Sequence, residues 1–468
     1  MILDKIVARS RLDLEERKKE VPLEEVQARA AAQAAPRDAM AALRARNAVH
    51  VIAEVKRASP SKGLLAPNFD PVGLARTYAA SGASLISVLT EPHFFQGAPS
   101  YLTAIKQAVE IPVLCKDFLY DEYQVYEARS WGADLILLIC AILDDGQLRH
   151  LLGVARSLNM HALVEAHSAA EVQRAVAAGA QIIGVNSRDL RTFEMQPGLI
   201  RDLRPLIPAE CVLVAESGIH SAADARRLAR YDVQAMLVGE SLVTSNDIPG
   251  QLRRLLRGAN EDVQIKICGL SDERHVKLAL EAGADLFGLV FYEPSHRYVT
   301  PRRARELAQT PGDKRAQIEA VGLFVNKEAD FINEVAELVG LDVVQLHGDE
   351  SPELCQRIRR PVIKAIHMRD ASDLEKLQAY REVTWRVLLD TPSSGWGGSG
   401  ETHDWQLARA AAQTQRAFLA GGLHSANVAA AIAQVRPWGV DVSSGVESAK
   451  VKDEGKMRDF IAAVRRPA

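Results

Sequence analysis

One short phrase recurs along this chain and dictates most of what it can become. A Gly-Ala pair precedes an apolar run at Gly82-Ala83 before Ser84 to Leu89, at Gly132-Ala133 before Asp134 to Ile139, and at Gly179-Ala180 before Gln181 to Val185. These three pairs lie 50 and 47 residues apart. The phrase returns at Gly283-Ala284 before Asp285 to Phe291, with looser copies beginning at Gly340 and Gly439. Glycine ends a helix by adopting a left-handed turn that other residues resist, and the chain then enters a strand. Further strands stand between the phrases. Pro112 to Lys116, His161 to Glu165 and Cys211 to Glu216 are short and almost wholly apolar. Such runs suit strands covered on both faces, as in parallel sheets. Helical patterns over 121–130, 144–157, 168–178 and 221–229 separate them.

Strand starts fall into two sets of eight: near 51, 84, 112, 134, 161, 181, 211 and 234, then near 263, 285, 319, 342, 361, 384, 417 and 438. Eight strand–helix units closing on themselves form a TIM barrel. The predicted fold is α/β: two consecutive (β/α)8 barrels, over 1–255 and 256–468, meeting in the turn at 248–262. An open doubly wound sheet competes with this, but it usually has fewer strands. A length of 468 residues leaves room for two units of about 250. Residues 1–48 are extra to the first barrel. They read as helices over 2–18, 22–35 and 36–46, expected to lie over its mouth.

Lys plus Arg is 57, Asp plus Glu is 60 and the net charge is -3. Aromatic residues make up 5%. Neither figure suits a nucleic-acid surface, and no bulk attraction to an anionic membrane follows. No apolar run reaches spanning length, so no membrane span is expected. The first residues are amphipathic rather than signal-like. The five cysteines, Cys115, Cys140, Cys211, Cys268 and Cys355, form no CxxC pair and fit reduced thiols in a cytoplasm.

Barrel chemistry sits at the carboxyl ends of strands. In the first set these ends carry Glu54 and Lys56, Lys116 and Asp117, Glu165, Asn186 followed by Arg188, Glu216 and Ser217, and Gly239. One such pair would be a rim salt bridge; six positions converging on one face make a pocket of mutually tuned acids and bases. A lysine beside a cation would serve as an acid near neutral pH, and a glutamate facing it as a base. No H-x-H or H-E-x-x-H motif is present, which favours chemistry without a metal. A Schiff base on Lys116 or Lys56, as in a phosphosugar aldolase, stays open on spacing alone. A scaffold whose barrels have lost activity is disfavoured, since no expected group is missing.

The phrase Gly-(Ile/Leu)-His-Ser-Ala occurs at 218–222 and at 422–426, after the seventh strand of each set. With Gly239 and with Ser443-Ser444-Gly445 after the eighth strands, it marks two turns whose free backbone N–H groups suit phosphate. His220 and His424 read as capping or surface groups. In the second set Cys268 ends strand 1, His347 follows strand 4 and Asp390 ends strand 6. A thiolate and a carboxylic acid across a sugar could move a proton between adjacent carbons. Arg297 has the fork to clamp a carboxylate. Gly395 to Gly400 satisfies G-x-G-x-x-G but follows a sixth strand, out of context for a dinucleotide, and reads as a loop closing over phosphate.

These residues carry a family likeness. Ile52-Ala-Glu-Val-Lys-Arg-Ala-Ser-Pro-Ser61, Cys115-Lys-Asp-Phe118, Leu163-Val-Glu-Ala-His167, Gly184-Val-Asn-Ser-Arg-Asp-Leu190 and Ala215-Glu-Ser-Gly218 resemble, in order, the signatures of indole-3-glycerol-phosphate synthase. Lys266-Ile-Cys-Gly269, Gln345-Leu-His-Gly348, Leu389-Asp390 and Asp441-Val-Ser-Ser-Gly-Val-Glu447 resemble phosphoribosylanthranilate isomerase. The resemblance implies a synthase pocket in which Lys116 is the acid, Glu165 the base, and Glu54 and Asn186 assist. Lys56 grips a substrate carboxylate or balances Glu54, although sequence leaves open which lysine is the acid. Arg188 and Glu216 hold the sugar, Phe118 and Ser59 contact substrate, and Ser61, Ser217, Gly218 and Gly239 meet phosphate. It implies an isomerase pocket with Asp390 as acid, Cys268 as base and Arg297 on the anthranilate carboxylate. His347 contacts substrate there, and Gly400, Gly422, Ser444 and Gly445 lie near phosphate. It implies no metal and no organic cofactor, and as ligands the phosphorylated anthranilate–ribose and ribulose intermediates. The fusion is consistent with a monomer. Glu240 after Gly239 departs from the pattern, which leaves that phosphate contact to the backbone.

Overall fold

The computed structural model describes residues 2–45, 48–189, 194–196, 198–370, 372–390 and 405–465. The chain divides into two compact units, Met1–Asp262 and Val263–Ala468.

In the first unit eight parallel strands close into a barrel: β1 (His50–Val55), β2 (Leu85–Leu89), β3 (Val113–Lys116), β4 (Leu135–Ile139), β5 (His161–Ala166), β6 (Ile182–Asn186), β7 (Val212–Glu216) and β8 (Ala235–Val238). Closure is made by the first and last strands, with His50 opposite Ala235. The strand starts read from the sequence are met to within a residue, and at β2, β4 and β6 a Gly-Ala pair marks the entry. Gly82, Gly132 and Gly179 all take positive φ.

Alternation along each strand sorts side chains to two sides. Val51, Ala53 and Val55 face the surrounding helices, whereas Ile52, Leu114, Leu163, Ile182, Val212 and Val214 fill the barrel interior. The same parity that points Ile52 inward points Glu54 inward, and likewise Leu114 and Lys116, Leu163 and Glu165, and Val214 and Glu216. The polar groups thus form the top layer of a stacked apolar core.

Three helices precede the barrel: α1 (Ile2–Glu20), α2 (Leu23–Ala31) and α3 (Ala39–Arg44). The third starts later than the sequence pattern suggested, because the Asp38 side chain accepts the Ala41 N–H and sets the cap there. Arg17 forks onto Glu127 with bonds of 2.8 and 3.1 Å, and Lys18 meets Asp121 at 2.7 Å, so α1 is tied to the helix Glu122–Ser130.

The second unit repeats the plan with β9 (Gln264–Cys268), β10 (Leu286–Val290), β11 (Glu319–Phe324), β12 (Val343–Leu346), β13 (Val362–His367), β14 (Arg386–Asp390), β15 (Ala417–Leu419) and β16 (Gly439–Val442). Gln264 pairs with Gly439 to close it. Its interior layer of Leu286, Val321, Val343, Ile363, Leu388 and Phe418 is shared with a charged pair. Lys266 donates to Asp441 at 3.0 Å, and both are buried. Among the described residues no helix is long and apolar enough to cross a membrane.

Candidate active sites

Strand register brings the first set of polar groups to one rim. Leu89 lies opposite Lys116, Ile139 opposite Glu165, and Asn186 opposite Glu216. Glu54, Lys56, Ser59, Ser61, Lys116, Phe118, Glu165, Asn186, Arg188, Glu216, Ser217, Gly218 and Gly239 all line a single cavity. Ile2, Leu3 and Ile6 of α1 wall it on one side, together with Phe95. Of the N-terminal extension, expected to lie over the mouth as a whole, α1 stands there, whereas α3 lies at the opposite end of the barrel, where Asp38 faces His161 at the start of β5 and Arg44 donates to the Glu210 carbonyl ahead of β7.

Lys116 is the hub of this pocket. Its ammonium donates to Glu216 at 2.7 Å and lies 3.4 Å from Glu165. Asn186 donates to the other oxygen of Glu165 at 3.3 Å and accepts from the Ser217 hydroxyl at 2.8 Å. Lys56 pairs with Glu54 at 2.7 Å. The sequence reading asked for a lysine beside a cation, and the structure does the reverse. Burial pulls the Lys116 ammonium down, but Glu216, Glu165 and Glu54 outweigh it and hold the lysine above its ordinary range. The two glutamates sharing it titrate as a unit. Burial raises Glu165, yet Lys116 and the neighbouring His167 win and leave it lowered. Glu216 is raised by burial and by the charge of Glu165. Sharing one lysine thus drives the two carboxyls apart, Glu165 down and Glu216 up.

Gly218 takes φ +71 directly after β7, and Ser217 before it takes φ 66. This turn presents backbone toward the cavity. The next helix is capped three residues past Gly218, where the Ser221 side chain accepts from the Asp224 N–H and the Asp224 carboxylate accepts from the Ser221 N–H. His220 is exposed in that cap. At the eighth strand a short helix starts at Glu240, immediately after Gly239. Glu240 faces Arg188 at 3.8 Å and Lys62 at 3.9 Å, so its charge is turned to basic neighbours.

In the second unit Cys268, Arg297, His347, Asp390, Gly422, Ser444 and Gly445 line one cavity with Gln345 and Asp441. Gly400 and the loop 392–400 lie outside the described residues. The Gln345 amide nitrogen sits 2.8 Å from His347 Nδ1, and His347 Nε2 lies 3.2 Å from Asp390. With Nδ1 accepting, the Nε2–H donates to Asp390 and fixes its orientation. Burial pushes the Cys268 thiol up, and Lys266 below it on the same strand face opposes that rise. Arg297, expected to be open for a carboxylate, already forks onto Glu447 with bonds of 2.7 and 2.9 Å. Lys452 donates to the same carboxylate at 2.7 Å. Gly422 takes φ +63, matching Gly218. His424 is exposed in the following turn.

Sequence reasoning assigned no role to Lys266, Gln345, Asp441, Glu447, Lys452 or His167. Lys266 and Gln345 were within reach, since each precedes an assigned residue by two and so shares its face. Glu447 meets Arg297, and Asp441 meets Lys266, only once the barrel is folded, 150 and 175 residues away in sequence.

Two closed barrels, each with acid–base groups gathered at its carboxyl rim beside a paired glycine turn, define a pair of TIM-barrel enzymes. Comparison with known proteins narrows this. Residues 3–255 match the family described as indole-3-glycerol phosphate synthase, and residues 265–463 match N-(5'-phosphoribosyl)anthranilate isomerase. A tryptophan biosynthesis protein TrpCF of Salmonella typhi is 36% identical, covering 99% of this chain and 99% of its own length. TrpCF of Yersinia pestis is 38% identical over 88% of this chain and 84% of its own. A multifunctional tryptophan biosynthesis protein of Phycomyces blakesleeanus is 38% identical over 88% of this chain, which spans 62% of that longer protein. The chain belongs to the synthase family through its first barrel and to the isomerase family through its second, and is a bifunctional tryptophan-biosynthesis enzyme.

Proposed function

We propose that the second barrel converts N-(5-phosphoribosyl)anthranilate to 1-(2-carboxyphenylamino)-1-deoxyribulose 5-phosphate by an Amadori rearrangement. The first barrel then closes that product to indole-3-glycerol phosphate, releasing carbon dioxide and water. What supports this is that every described residue expected of each site lines one cavity in its own unit.

In the isomerase pocket Asp390, oriented by His347, protonates the ring oxygen and opens the ribose. Cys268 removes the C2 proton, and its thiol needs Lys266 to offset burial. The substrate carboxylate takes the edge of Arg297 that Glu447 leaves free. Gly422, Ser444 and Gly445 offer backbone N–H groups to phosphate.

In the synthase pocket Lys116 is the acid toward the ketone as the aryl carbon attacks it. A Schiff-base lysine must be neutral, and the carboxylates around Lys116 hold it protonated, which favours the acid role over imine formation. Loss of the carboxylate as carbon dioxide restores the bond electrons to the ring. Glu165, kept ionised, takes the proton in the dehydration, while Asn186 and Glu54 position the groups. Lys56 meets the substrate carboxylate, Arg188 and Glu216 the sugar hydroxyls. Ser61, Ser217, Gly218 and Gly239 receive phosphate, with Ser59 and Phe118 lining the approach.

A paired assay on the full chain tests this. Lys116→Ala removes synthase turnover and leaves isomerase turnover intact; Cys268→Ala does the opposite. Either folded variant losing both activities would end the two-site reading.

A further inference from the structure

Directly behind Glu165 lies a histidine that the chemistry above does not use. His167 follows β5 with its side chain 15% exposed. Its Nε2 is 3.3 Å from Glu165 and its Nδ1 is 3.4 Å from Glu171. Both ring nitrogens are shielded from solvent and make ion-pair contacts rather than in-line hydrogen bonds. The backbone N–H of His167 donates to Glu171 at 2.7 Å, which pins the outer carboxylate in place. Glu171 sits in the first turn of the helix Ala169–Ala177, capped by Ser168. The chain of groups therefore runs from a buried carboxylate in the pocket, through an imidazole, to a carboxylate that is 19% exposed.

The ring has acceptors on both sides. A neutral imidazole donates from one nitrogen only, so it would turn a lone pair toward one of two carboxylates; the imidazolium donates from both. Burial opposes that charge, but Glu165 and Glu171 outweigh it and raise the ring to about 10. The other ionisable groups nearby are Lys116, Glu216 and Glu54 across the pocket, and Arg174 with the Cys140 thiol, which burial keeps neutral, beside Glu171. Glu165 is thereby held by Lys116 on one oxygen, and by Asn186 and His167 on the other.

We propose that His167 is a positioning residue for the ring-closure reaction: a permanent imidazolium, clamped by Glu171, that orients Glu165 and keeps it ionised and ready to accept a proton. This rests on the reading of Glu165 as the base. His167 is not among the residues that line the cavity, and it acts through the carboxylate in front of it.

The test uses the full chain, with synthase kcat and KM followed across pH and isomerase turnover as the internal measure of folding. His167→Leu is expected to lower synthase kcat about tenfold or more at neutral pH, with KM little changed. It should move the acidic limb of the kcat profile upward by about one pH unit or more. His167→Gln, which keeps one donor, should restore part of both effects, and Glu171→Gln should shift the limb the same way by less. An acidic limb that stays in place in His167→Leu with isomerase turnover intact overturns the proposal. A second measurement needs no destabilised variant. Ring nitrogen NMR of the wild-type chain, assigned by difference from His167→Gln, should show a doubly protonated ring still present at pH 8, and a ring that is neutral there overturns the proposal as well. Wild-type protein without synthase turnover would instead bring down the reading of the whole pocket, an outcome separable from an unshifted variant.

Discussion

At the scale of single residues, what the sequence displays is position and what it hides is pairing. Strand ends with alternating parity told which side chains point into each barrel, so Glu54, Lys116, Glu165, Cys268 and Asp390 could be picked out from a linear text. Their electrostatic state could not, because it depends on neighbours supplied by other strands. A lysine next to a cation would have been the readier acid, and Lys116 instead stands among carboxylates. Arg297 was expected to be free and is held by Glu447. That last pair has a measurable consequence. Burial raises the Glu447 carboxyl, but Arg297 and Lys452 pull it down to about 2. A depressed carboxyl contributes stability above its unfolded value of about 4.3 and loses it as pH falls toward the folded value. Glu447→Gln should therefore destabilise the second barrel near neutral pH, and the gap from wild type in denaturant midpoint should close between about pH 4.5 and 2. The same variant unfastens Arg297 and is expected to raise the isomerase KM about tenfold with a smaller change in kcat. A gap that stays constant down to pH 2 would mean that Glu447 carries no charge in the pair.

At the scale of elements, helices and strands were legible because caps and breakers are local. Asp121, Asp144, Ser168 and Ser221 each accept from the first turn of the helix they precede, within a residue of where the patterns began. The turn glycines were legible only in part. Gly445 was expected for its free backbone N–H, yet a Cβ there would also overlap the Leu423 carbonyl, and one at Gly184 would overlap the Glu216 carboxylate. Such contacts come from a neighbouring turn or strand and leave no mark in local sequence. The extension shows the other limit. Its helices could be read, but that α1 presents Ile2, Leu3 and Ile6 to the pocket depends on the Arg17–Glu127 and Lys18–Asp121 ties. Leu3 is buried at 6% exposure, and a charge there must be either desolvated or released to water with its helix. Leu3→Asp is expected to undock the start of α1 and raise the synthase KM about tenfold or more, while isomerase kinetics stay as they were. Unchanged synthase KM would show that α1 is no part of the pocket wall.

For the molecule as a whole, the eight-plus-eight count was readable from short apolar runs alternating with helical patterns, and the reason is physical: a closed parallel barrel must spend one helix on every strand, so its rhythm is regular. The count also bears on independence. Each sheet is closed by its own first and last strands, and each has its own interior layer and its own shell against the helices. A cut between Asp262 and Val263 severs no strand pairing in either barrel. Proteins with two separately closed cores depart from two-state unfolding. Calorimetry of the full chain should accordingly resolve two transitions. Residues 1–262 expressed alone should keep synthase turnover, and residues 263–468 isomerase turnover, each within about twofold of its value in the full chain. Each fragment should also unfold with one of the two transitions seen in the whole. A fragment that is folded by circular dichroism but inactive would show that a group from beyond Asp262 completes its pocket, and a single calorimetric transition would show that the two cores unfold as one.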